Sequence, residues 1–327
     1  MTVDLDRCHA LEMLGYTARQ AQFLVLVARH GGYFLRRQYV AFTGTGHGLA
    51  AVRFLAQCVA REHIRVLPYG RQSHVFHLYA RPLYASIGEE DNRNRRPAEW
   101  DAVIRKLMTL DFVLAHPGAR FLATEDEKVA LLRERLIPAD VWPHRRYAPR
   151  HSSGRATTRY FVDKMPWYQQ GDDARVWIAY VDAEHTLQGF QTFLDQYRAL
   201  LASLPSGVTY IAPTAWHGVI QQAFTRALES HDRGIMRRFV EYCDFRRTID
   251  ETHSNRLLRP DQRRQFREQC AEFRTPAFDA LYRKFLEMSS VSSADVDAAV
   301  FPPCLLRVHA LGRRYDQAHT RNAPIEG

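Results

Sequence analysis

Three carboxylates and a lysine pose the sharpest chemical question in this chain. Asp163 ends one β-rich run, and Asp182-Ala183-Glu184 ends the next, RVWIAYV. Carboxylates at the ends of adjacent strands can hold Mg²⁺, and a lysine can position the attacking water in phosphodiester cleavage. The usual pattern places that lysine two residues after the second acid. Here Asp182 is followed by Glu184 and Glu184 by Thr186, so Lys164 or His185 would have to stand in. Acids at strand ends also serve as plain turn residues. A metal-dependent nuclease using Asp163, Asp182, Glu184 and Lys164, a degenerate nuclease-like scaffold, and an unrelated α/β unit therefore stay open.

Other chemistries lack their marks. There is no GxxxxGK[ST] phosphate loop, no GxGxxG after a strand, no HExxH and no GxSxG. The 15 histidines include the spacings His74/His77 and His144/His151, but neither has a matching partner pair. The five cysteines are scattered without a CxxC, which suits a reduced cytosol and gives neither a disulfide framework nor a zinc ribbon. No catalytic residue, metal or cofactor is expected, with Mg²⁺ entering only if the nuclease alternative holds. No apolar run approaches the ~20 residues of a membrane span, and MTVDLDRCHALEML does not read as a signal peptide. The expected location is the cytoplasm, away from membranes.

Charge is more informative. The chain has 45 basic against 36 acidic residues, a net +9, and only four of the basic residues are lysines. Between Arg19 and Arg81 there are nine arginines and a single acid, Glu62. A window of that charge repels itself unless it meets a polyanion, and nucleic acid is the commonest one for a soluble protein. A solvated basic face is the bland alternative.

The elements that would carry this charge follow from spacing. Thr17 caps a helix over ARQAQFLVLVARH, which Gly31-Gly32 ends. A short helix begins at Leu35, the breakers Thr43-Gly44-Thr45-Gly46 follow, and a third helix runs from about His47 to His63. Ile64–Leu67 and Val75–Leu78 read as two strands around a Pro68–Arg71 turn. Helices, turn, helix and hairpin in this order predict a winged helix-turn-helix over 1–88, with the third helix in the major groove. EEDNRNRRP, at 89–97, reads as a linker. Over 98–231, helices at AEWDAVIRKLMTLDFVLAHP and TEDEKVALLRERL precede strands, a helix, a strand and a helix. That unit predicts a mixed α/β fold with a degenerate restriction-endonuclease-like core. Residues 232–300 read as charge-laced helices and 301–327 as an extended tail.

A basic winged helix leading into a nuclease-like α/β unit resembles the replication-relaxation proteins of bacterial plasmids and integrative elements. LRRQYVAFTGTGHGLAAVRFLAQCVAREHI within Arg19–Arg81 carries the resemblance, with FVDKMPWY and VWIAYVDAEHT more loosely. It implies DNA binding linked to replication, transfer or transcription of a mobile element. The residues themselves point to a double-stranded-DNA-binding protein, a transcriptional regulator rather than an enzyme. Arg53, with His47 and Thr45 as polar neighbours, would face base edges; Arg36, Arg37, Arg65 and Arg71 would neutralise phosphates. A homodimer would match a palindromic site. The rivals are the nuclease and a protein-interaction scaffold built on the C-terminal helices.

Overall fold

The computed structural model describes residues 5–44, 48–69, 73–147, 157–171, 175–184, 186–214, 217–254, 257–274, 304–312 and a few positions between 279 and 315. Its first elements in chain order are α1 (Leu5–Met13), α2 (Ala18–His30), β1 (Tyr33–Leu35), α3 (Arg36–Thr43), α4 (Gly48–Ala60), β2 (Ile64–Tyr69), β3 (Ser73–Leu78) and α5 (Arg81–Ser86). Thr17 and Gln20 form a reciprocal capping box at the start of α2, so the helix starts where the sequence places it. β2 and β3 pair antiparallel, and β1 adds to the other edge of β3 to give the order β1-β3-β2. Three-residue β1 is too short to show a period, and the sequence reading missed it. An aromatic centre holds this unit together: Phe54 of α4 is fully buried, stacks on Tyr39 at 4.1 Å and meets Phe23 edge-on at 6.0 Å.

The second group comprises α6 (Trp100–Ala115), β4 (Arg120–Leu122), α7 (Glu125–Glu134), β5 (His144–Tyr147), β6 (Thr157–Tyr160), β7 (Trp167–Gln169), β8 (Val176–Val181), α8 (Leu187–Ser203) and β9 (Ser206–Ala212). It ends with α9 (His217–Thr252), α10 (Pro260–Phe273) and β10 (Leu305–Ala310). A five-stranded mixed sheet runs β10-β9-β8-β7-β4, with β8, β9 and β10 parallel and β7 and β4 antiparallel to their neighbours. β8 is buried on both faces, as parallel strands between helix layers are. Its alternate residues split cleanly. Val176, Ile178 and Tyr180 join Phe190, Leu194 and Tyr197 of α8. Trp177, Ala179 and Val181 join Val103, Ile104 and Leu107 of α6. Gly207 of β9 admits the Trp177 ring, because a Cβ there would lie 2.5 Å from ring carbons.

The overall class is mixed α/β, as expected, but three boundaries differ. The polar segment expected to be a linker is packed into the fold. Asn94 is buried, donates to the Ala28 carbonyl at 3.0 Å, and its own carbonyl receives His77 Nε2 at 3.1 Å. Gly32 (φ +78°) makes room for that carbonyl, which a Cβ would approach to 2.4 Å. The expected break at 231/232 falls inside α9, which continues to Thr252. The expected extended tail contains β10, which completes the sheet beside β9. One core cluster joins Tyr33, Leu35 and Val75 to α6 and to Trp177 and Ile211, so the first unit and the sheet share an interior. Among the described residues no helix is long and apolar enough to cross a membrane.

Candidate nucleic-acid interface

α3 and α4 meet at a turn whose middle, 45–47, lies outside the described residues, as does the β2–β3 tip at 70–72. Thr45, His47 and Arg71 fall there. Arg36, exposed at the start of α3, donates from Nη2 to the Gly48 carbonyl at 3.2 Å. A Cβ at Gly48 would meet the end of that guanidinium, which the exposed Arg36 side chain can move aside. Arg53 is exposed on α4, and Arg65 is exposed on β2 with its guanidinium 4.4 Å above the Tyr79 ring. Among the described residues no carboxylate lies within ion-pair range of Arg36, Arg53 or Arg65.

Other arginines of the basic window are already committed. Arg37 sends both terminal nitrogens to Asp111 of α6, each at 2.7 Å, and Nη2 also reaches the Tyr315 hydroxyl at 2.8 Å. The fork is one that guanidinium and carboxylate geometry favours. It ties α3 to α6, so Arg37 has a structural task where a phosphate contact was expected. Arg29 pairs with Glu89 and Glu127, and Arg81 lies 3.8 Å from Glu90. Arg19 and Arg61 cap the Phe42 and Leu14 carbonyls. The window therefore recruits part of its counter-charge from acids beyond it, which counting charge along the sequence cannot reveal.

The outer face of α4 has a second character. Leu49, Val52 and Val59 are 60%, 45% and 45% exposed, interleaved with exposed Ala50, Ala56 and Ala60. Arg53 is the one charged side chain in this exposed set.

The carboxylates of the sheet unit are held separately. Asp182, just after β8, is buried. Its Oδ2 accepts Tyr210 at 2.7 Å, and Oδ1 accepts the Glu184 and Thr186 amides at 3.1 and 3.3 Å. That is the work of a turn residue leading into α8. Glu184 pairs with Arg105 at 3.3 Å. Asp163 Oδ1 accepts the Tyr197 hydroxyl at 2.9 Å and the Met165 amide at 3.2 Å. Lys164 beside it has φ +56°. Among the described residues no three His, Cys, Asp or Glu side chains are grouped to hold a metal ion. Each of the three carboxylates thus has a partner of its own: Asp182 with Tyr210, Glu184 with Arg105 and Asp163 with Tyr197.

What the sequence reading missed is a cavity of about 760 Å³ bordered by α2, residues 88–94, α6, the start of α7 and residues 159–166. Lys106, Lys128 and Lys164 all line it, three of the four lysines in the chain. Lys128 is 2% exposed, donates to the Met165 carbonyl at 2.7 Å and lies 5.5 Å from the Trp167 ring centre. Burial pulls its pKa down to about 8 against the attraction of Asp163, Glu127 and Glu125. Half-buried Lys106 sits 4.9 Å above the Tyr33 ring, and burial, with Lys164 nearby, lowers it to about 8 as well. Scarcity of lysine in an arginine-rich chain was the available signal; convergence from three separate elements was not readable. No protein-family model, no curated protein and no solved structure matches this chain.

Proposed function

We propose that the protein binds double-stranded DNA through α3, α4 and the β2–β3 hairpin, as a regulator of transcription or an accessory factor in replication or transfer. The order α2-β1-α3-α4-β2-β3 supports reading this unit as a winged helix-turn-helix, in which α4 would enter the major groove and the hairpin would lie along the backbone. The observation that carries the reading is the trio Arg36, Arg53 and Arg65, exposed on this one unit with no carboxylate in ion-pair range among the described residues. Arg53 is the candidate for base edges, and the small and branched side chains around it suit contact with thymine methyl groups. Arg36 and Arg65 are the candidates for phosphates. The elements α6, β4, β7, β8, α8 and β9, with α7, β5 and β6 inserted between β4 and β7, support reading the sheet unit as a restriction-endonuclease-like core used as scaffold. The link to a mobile element rests on resemblance alone. Cytoplasmic residence rests on the five scattered cysteines of the sequence, which include no CxxC pair.

The test is a titration of labelled duplexes from the flanks of the gene, at two salt concentrations and with or without Mg²⁺, followed by a denaturing gel. Salt-dependent binding with intact DNA is expected. Arg53→Ala should relax base preference by about 1–3 kcal/mol. Equal loss on every sequence would remove base reading from Arg53, and Mg²⁺-dependent fragments would promote the nuclease. One observation favours a second reading, a protein contact: the exposed apolar face at Leu49, Val52 and Val59. If that face joins two copies, Val52→Glu converts a dimer to a monomer in sedimentation velocity; an unchanged monomer leaves the face to DNA.

A further inference from the structure

We propose that the cavity between α2, the 88–94 segment and α6 is a binding site for a small phosphorylated anion of nucleotide size, with Lys106, Lys164, Arg93 and Arg159 supplying the counter-charge. This site is separate from the α3–α4 face and does not depend on DNA being the protein's partner. The argument starts from placement. Four cations from three parts of the chain line one cavity, and among the described residues none of them has a carboxylate in ion-pair range. They press on one another: Lys164 is lowered by desolvation first, then by Arg93 and Arg159, and Lys106 by burial and then by Lys164. Like charges gathered in a recess destabilise the fold unless something neutralises them.

The carboxylates in the same lining are engaged elsewhere or sit at its edge. Glu89 is claimed by Arg7 and Arg29, at 3.3 and 3.2 Å. Asp163 accepts Tyr197 and the Met165 amide, and Glu125 accepts the Tyr160 amide at 3.0 Å. Asp91, Asp126 and Glu90, the last 3.8 Å from Arg81, are exposed, as are Arg93 and Lys164, so the half-buried charge of the lining belongs to Lys106 and Arg159. Below them Lys128 has used one of its three donors on the Met165 carbonyl, and a cavity ligand is the acceptor that could meet the others.

Size and lining choose the class of ligand. About 760 Å³ is the volume of a pocket for a small molecule and far below that of a duplex groove. Tyr147 and Tyr160 also line the cavity, which suits a base beside its phosphates. A nucleoside diphosphate or triphosphate satisfies both requirements. The phosphate of a nucleic-acid end offers part of the same chemistry, so the test separates the two sources.

The experiment is calorimetric titration and thermal melting of the full chain with ADP, pyrophosphate, adenosine and a 5′-phosphorylated twelve-base-pair duplex. ADP and pyrophosphate should bind and raise the melting temperature, with adenosine at least tenfold weaker. Lys106→Gln/Lys164→Gln should weaken ADP at least tenfold while its own unliganded melting temperature stays level or rises, because repulsion has been removed. Arg53→Ala should leave ADP binding unchanged, which keeps failure here distinct from failure of the DNA reading. Three results would overturn the proposal: no binding of ADP or pyrophosphate, equal ADP affinity in the double variant, or adenosine binding as tightly as ADP. Competition for the cavity by the phosphorylated duplex alone would likewise overturn it and assign the lysines to nucleic-acid ends.

Discussion

Positive charge is handled in opposite ways in the two halves of this molecule. On the helix–strand unit, Arg36, Arg53 and Arg65 lie at the surface, where water solvates a guanidinium and a missing counter-ion is inexpensive. In the sheet unit, Lys128 is withdrawn from water and Lys106 is half-buried, and both are held at depressed pKa values. Solvated charge says little about function, because an exposed basic face needs no partner. Desolvated charge is retained against a physical penalty, so it makes the stronger pointer to a ligand. The abundant arginines drew the sequence reading to the first unit, while the rare lysines carry the desolvated charge.

The largest expected effect tests whether the halves can be compared as parts of one body. Phe54→Ala removes the centre of the aromatic cluster and should cost about 4 kcal/mol in urea unfolding. Since Tyr33, Val75, α6 and Trp177 share a core, far-UV circular dichroism and tryptophan fluorescence should still report one transition. Two transitions would divide the molecule where the shared core says it is joined.

A smaller effect sharpens the account of the lysines. With Lys128 at about 8 in the folded protein and near 10.5 when solvated, the unfolded chain binds more protons between pH 8 and 10. Stability therefore rises with pH across that window. Wild type should gain about 2 kcal/mol more than Lys128→Met over the interval, measured by urea midpoints at each pH. Equal pH profiles would mean that Lys128 is better solvated than its burial implies.

Arg37→Ala should cost a similar or slightly smaller amount, about 2 kcal/mol, since the guanidinium is one-third exposed and Asp111 is left in a half-closed setting. The same substitution should change the salt slope of DNA binding very little. Arg36→Ala gives the smallest stability effect, within about 0.5 kcal/mol, but should lower the salt slope by about one. If Arg37→Ala flattens the slope as much as Arg36→Ala, the fork to Asp111 opens when DNA arrives.

Local chemistry was readable in advance where a residue's neighbours in sequence are also its neighbours in space. The Thr17–Gln20 and Thr124–Glu127 boxes fix the starts of α2 and α7 from four residues each. The apolar run VWIAYV announces a strand covered on both faces. Asn94 shows the converse: a polar stretch reads as solvent-exposed, and only its distant partners at Ala28 and His77 reveal a buried, satisfied amide. β1 and β4 are too short to display alternation, and β10 declares itself only by meeting β9. For the site, the exposed arginines were legible as types. The diversion of Arg37 to Asp111 and of Asp182 to Tyr210 depended on contacts 74 and 28 residues apart.

The placement of β10 and Tyr315 has a consequence for biosynthesis. Arg37 and Asp111 can meet as soon as α6 has left the ribosome, but the Tyr315 hydroxyl that joins them is made 204 residues later. At ~5–20 residues per second that delay is roughly 10–40 seconds. Within that delay β9, buried on both faces in the finished fold, is complete at Ala212 and presents an unpaired edge for roughly 5–20 seconds until β10 follows. The nascent chain thus carries an adhesive strand until β10 is translated, and slow or interrupted translation past α9 should send it to chaperones or into aggregates.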